Sequence, residues 1–92
     1  MIEDILSEVR RAARKFPEWP TNPFHANDII GEEQGELTKA LVQWVGEREK
    51  GVTEKDIREE AVQLAAMTIR FIISLDAGAY DITAKWHTQE FQ

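Results

Sequence analysis

Five glutamates carry the chemistry this sequence offers: Glu32, Glu33 and Glu36 in one stretch, Glu59 and Glu60 in a second. On a helix, positions three or four apart share a face. Glu33 lies three residues after Ile30 and four before Leu37, which puts it inside an apolar stripe, and Glu36 sits on the adjoining edge. Glu60, three after Ile57 and four before Leu64, also faces inward. Carboxylates seldom occupy such positions unless they are paired or hold a metal, because an isolated buried charge is costly to desolvate. Inward acidic pairs on neighbouring antiparallel helices repel. A hard divalent cation between them, Mg²⁺ or its substitute Mn²⁺, removes the conflict. The alternative is a solvated acidic face paired with Lys39, Lys55 or Arg58. That alternative suits the more outward Glu32 and Glu59 better than Glu33 and Glu36.

The elements that must position these groups are helices. Ile2, Ile5, Leu6, Val9, Ala12, Ala13 and Phe16 mark one face of a first helix. Pro17, Pro20 and Pro23 then interrupt regular structure. Asn22 is a good N-cap and Pro23 suits the first position of a second helix. Its apolar stripe is Ala26, Ile30, Leu37, Leu41 and Trp44, with Ile29, Ala40 and Val45 beside it, and it ends at Gly46 and the polar run Glu47 to Val52. Thr53 and Asp56 form a capping box that opens a third helix running to about Leu75. From Ala61 onward this helix is apolar nearly all round, so it must be covered on every side.

These features predict an all-α fold: one domain over residues 1–92, an antiparallel bundle of three main helices, with a short C-terminal helix from Tyr80 to Phe91 as further cover. Two helices from so short a chain can hardly enclose the third, so a homodimer or homotetramer is expected to complete it. The chain has no cysteine, which excludes disulfides and thiolate metal sites. The start, MIEDILSEVRRAARKF, is charged and amphipathic and lacks the apolar core of a secretory signal; no apolar run approaches a membrane span. A cytoplasmic protein without membrane contact is the expectation. Seventeen acidic residues against 11 basic ones, a formal charge of −6, set the surface against a polyphosphate backbone, so no nucleic-acid partner is expected.

The stretch Glu32-Glu33-Gln34-Gly35-Glu36-Leu37, followed by Glu59-Glu60-Ala61-Val62-Gln63, resembles the EExxE…ExxD signature of the MazG-like nucleoside triphosphate pyrophosphohydrolases. Gly35-Glu36-Leu37 with Gln43-Trp44 is also similar to the dCTP pyrophosphatase branch of that all-α superfamily. The resemblance covers about residues 16–76. It implies a tight dimer or tetramer that holds Mg²⁺ on acidic side chains and splits a nucleoside triphosphate into monophosphate and pyrophosphate. Carried over, Glu33 and Glu36 match the first ligand pair and Glu60 the glutamate of the second, while Glu32 matches the leading acidic residue. Gln63 stands where the family has Asp, so one ligand loses its charge. Asp56 and Glu59, each one turn from a ligand position, are the residues that could compensate.

Within that resemblance, Glu32 is the first candidate to orient or deprotonate the attacking water, and Glu33 the second. Lys39, three residues after Glu36, and Arg70, seven after Gln63 on the same stripe, are candidates for phosphate contact. Arg70 in so apolar a segment calls for an anion, either a phosphate or a carboxylate from another subunit. Trp19, Phe16 and Trp44 could stack on a base, and His25 could touch base or phosphate; plain packing is the competing reading for each. Three functions compete. One is a house-cleaning pyrophosphohydrolase. Another, favoured by Gln63, is a relative that binds or senses a nucleotide without turnover. The third is a helical oligomerisation module. A di-iron bundle is disfavoured because there is no Glu-x-x-His pair.

Overall fold

Prolines and polar caps decide where the helices begin. In the computed structural model, which describes residues 1–83, helix α1 spans Ile2–Lys15, α2 spans Pro23–Gly46 and α3 spans Glu54–Asp76, and no strand occurs among the described residues. The protein is all-helical. α1 has no side-chain N-cap, but Glu3 and Asp4 in its first turn and Arg14 and Lys15 in its last complement the helix dipole. At α2 the Asn22 side chain accepts from the backbone N–H of Phe24 at 2.9 Å and of His25 at 3.4 Å, with Pro23 directly behind the cap.

The turn between α2 and α3 contains one short 3₁₀ segment, Arg48–Lys50. Gly46 remains the last helical residue of α2; the left-handed conformation falls to Gly51, at φ 73°. The capping box of α3 forms as the sequence leads one to expect. The Thr53 N–H donates to Asp56 Oδ2 at 2.8 Å and the Asp56 N–H donates to Thr53 Oγ1 at 3.4 Å. α3 stops in a Schellman arrangement, with Gly78 at φ 67°, its N–H bonded to Leu75 O and the Ala79 N–H to Ser74 O.

Both other helices pack on α3, α2 more extensively than α1. The core is built mainly from alanine: Ala12 and Ala66 with the longer Met67, Val9, Trp19, Ile29 and Ile30 packed against them, and Ala26 fully buried on α2. Alanine at these crossings lets the helix backbones approach closely, but it encloses little apolar area. Among the described residues no large side chain is fully buried. Of the stripe expected on α2, Leu37 and Trp44 are half-buried, Leu41 is at the exposed margin and Val45 faces solvent. On α3, Ile72, Ile73 and Leu75 remain exposed.

After α3 the chain returns to the α1–α2 loop. Tyr80 packs against Phe71 with ring centres 4.9 Å apart and planes tilted by 38°, accepts from the Trp19 indole N–H at 2.8 Å and donates to the Phe71 carbonyl at 3.3 Å. The Asp81 N–H closes the return by donating to Thr21 O at 2.8 Å. Tyr80 to Thr83 are not helical; the rest of the expected fourth helix lies outside the described residues.

Candidate functional site

The acidic residues meet where α2 and α3 pack. Glu33 and Glu60 are half-buried, Glu32, Glu36 and Glu59 are exposed, and Gln63 is half-buried. Burial is the largest influence on Glu33 and pushes its carboxyl up, reinforced by the charges of Glu60, Glu36, Glu32 and Glu8. Glu60 is also pushed up, by burial first and then by Glu36, Glu59 and Asp56. Carboxylates from both helices therefore influence one another through their charge.

Two recesses divide these groups between them. One, of about 130 Å³, is lined by Glu33 and Gln63 together with Glu8, Arg11, Met67 and Arg70. The other, of about 250 Å³, is lined by Glu36 and Glu60 with Lys39, Gln43 and Asp56. The four expected ligand positions are thus divided between two hollows, and among the described residues no three Asp, Glu or His side chains are gathered into a ready ligand set. The donor chemistry is nonetheless that of a hard-cation site, all carboxylate and amide oxygen.

Among the described residues, no basic side chain is paired with these glutamates. The ion pairs among the described residues are Arg11 with Glu8 and Arg58 with Asp4, the latter at 2.7 Å. Arg58, expected as a partner for the acidic face, is held by Asp4 of α1 instead, and among the described residues neither Lys39 nor Lys55 forms an ion pair. Asp56, a candidate to compensate for Gln63, is engaged in the capping box, whose hydrogen bonds from Thr53 hold its carboxyl below the usual range. Glu59 lines a third hollow with Glu8, Arg11, Arg58 and Gln63, close to the first.

The residues expected to touch substrate divide into two groups. Lys39 shares a recess with Glu36 and Glu60, and His25 is exposed in the first turn of α2. Arg70 is only 9% exposed; its guanidinium stacks 4.7 Å from the Trp19 ring centre and donates to the Phe16 carbonyl at 2.9 Å. Burial lowers its proton affinity, although an arginine stays charged throughout the accessible pH range. Trp19 is therefore occupied on one face by Arg70 and at its N–H by Tyr80.

Two contributors, Glu8 and Arg11, come from α1, which the sequence reading assigned to packing alone. The signal was there for Glu8, three residues after Ile5 and four before Ala12 on the inward face. Arg11 follows it through a bidentate pair whose Nε–H donates to Glu8 Oε1 at 2.9 Å. No family model, curated protein or solved structure matches this chain.

Proposed function

We propose that this protein is a MazG-like pyrophosphohydrolase that cleaves nucleoside triphosphates to monophosphate and pyrophosphate, acting in the cytoplasm as a homodimer or homotetramer whose helices complete an antiparallel bundle. One observation carries the reading: Glu33 and Glu60, from different helices, are half-buried within reach of each other's charge and of Glu36, with no basic side chain paired to any of them among the described residues. Like charges held together without a counter-ion favour a protonated or cation-bound state. The resemblance of the two acidic stretches to the family signature supports the same conclusion.

Glu33, Glu36 and Glu60, with the Gln63 carbonyl, are the groups that would hold Mg²⁺. Once bound, the ion supplies charge withdrawal from phosphate oxygens. Glu32, exposed beside this set and not needed as a ligand, orients or deprotonates the attacking water, with Glu33 as the alternative base. Lys39 stands beside Glu36 and Glu60, where it could meet a phosphate. The exposed apolar residues of α3 support association: Ile73 is 55% and Leu75 58% exposed, on a helix whose apolar character runs nearly all round.

The test is product analysis with a panel of nucleoside triphosphates and Mg²⁺. Equimolar monophosphate and pyrophosphate are expected, with a loss of at least about 100-fold in Glu36→Ala and Glu60→Ala and a gain in Gln63→Asp. Gln63, uncharged where the family has Asp, favours a second reading, a nucleotide sensor. Saturable binding without turnover in calorimetry would establish that instead.

A further inference from the structure

Arg70 is a buried cation without a buried anion. Its guanidinium has the Phe16 carbonyl and the Trp19 ring as partners, and no carboxylate pairs with it among the described residues. A carbonyl and a ring face satisfy only part of a five-donor fork, and stacking offsets charge less fully than an anion does. Arg70 also lines the recess of about 130 Å³, together with Glu8, Arg11, Glu33 and Gln63. Water in the liquid takes roughly 30 Å³ per molecule, so the recess has room for several waters or one tetrahedral oxyanion.

We infer that this recess is an oxyanion subsite for a phosphate group, with Arg70 of α3 as its floor and Arg11 of α1 as its second donor. Arg11 is half-exposed and held bidentately by the mostly buried Glu8, and both line this recess with Arg70. Planar, pre-oriented guanidinium donors match phosphate oxygens in geometry as well as charge. Glu33 lies in the same recess, so a phosphate bound there adjoins the acidic groups of the proposed metal site. The inference rests on the nucleotide reading only for what carries the phosphate. Glu8 acts by positioning: it aims Arg11 and, as a carboxylate, opposes the anion.

Calorimetry on the metal-free, full-length protein with inorganic phosphate, pyrophosphate and a nucleoside triphosphate tests the assignment. At least one of these anions should bind saturably, with affinity falling about 10-fold or more in Arg70→Gln and severalfold in Arg11→Gln, and rising in Glu8→Gln, which removes a negative charge from the recess. A merely structural role for the pair would not strengthen binding in Glu8→Gln. Should Arg70→Gln fail to fold by circular dichroism, Arg11→Gln and Glu8→Gln carry the test. Binding of all three anions that is absent in the wild type, or unchanged in Arg11→Gln, overturns the subsite. Turnover is scored separately. Hydrolysis with an unaltered KM in Arg11→Gln keeps the enzyme and removes the subsite. Pyrophosphate binding that depends on both arginines, in a protein without turnover, keeps the subsite and removes the enzyme.

Discussion

Glu33 and Glu60 place the central tension of this molecule at single residues. Their carboxyls hold protons more tightly in the folded chain than in the unfolded one. For a group raised in this way, the stabilising contribution is complete below its unfolded value and is lost as pH climbs through its folded value. The two glutamates thus oppose folding at neutral pH relative to mildly acid pH. Glu33→Gln is expected to raise the melting temperature at pH 7, with the gain shrinking as the pH falls; differential scanning calorimetry at pH 7 and about pH 4 checks this. Mg²⁺ reverses the sign for the wild type. At ten times its dissociation constant the ion stabilises by about 1.4 kcal/mol at pH 7, and the effect is absent in Glu33→Gln/Glu60→Gln. A melting temperature that ignores millimolar Mg²⁺ would count against ion binding at these carboxylates.

Among the elements, α3 has the most to lose, because both other helices rest on it. Its start depends on the reciprocal pair Thr53 and Asp56, so Thr53→Ala should cost about 1 kcal/mol, a fall of about 4–8 °C in thermal melts. Its far end depends on the return of Tyr80 to the α1–α2 loop. Tyr80→Phe leaves the part-buried Trp19 indole N–H without its acceptor, at a cost of about 1–3 kcal/mol. The Trp19 indole resonance in an ¹⁵N–¹H spectrum should move, and since the same ring carries Arg70, the recess beyond it should loosen with it. The centre of α3 tolerates no added volume: Ala66 is fully buried, and Ala66→Leu forces the helices apart, for a loss of about 1–3 kcal/mol.

At the scale of the whole molecule, apolar surface exceeds what three helices cover. Val42 and Val45 on α2 and Ile72, Ile73 and Leu75 on α3 are all exposed, while the buried core consists mainly of alanine. Sedimentation velocity at tens of micromolar should find a dimer or tetramer, and Ile72→Lys should shift it towards monomer and lower the melting temperature. A wild-type monomer at that concentration would leave the exposed face unexplained and the oligomeric reading untenable. No helix among the described residues is long and apolar enough to cross a membrane.

Sequence alone determined what depends on near neighbours in the chain. The caps at Asn22 and Thr53, the breaks at the prolines and the inward register of Glu33 and Glu60 are local consequences of side-chain type and a 3.6-residue period. Gly51, rather than Gly46, takes the left-handed position because the tight turn, and not the helix end, demands it. Only the tertiary structure decided which groups from different helices share a space. It brought Glu8 and Arg11 of α1 beside Gln63, drew Arg58 away to Asp4, and seated Arg70 against Trp19. Those partners lie some fifty residues apart in the chain. Their meeting depends on how helices pack, a relation that no periodicity within one helix encodes.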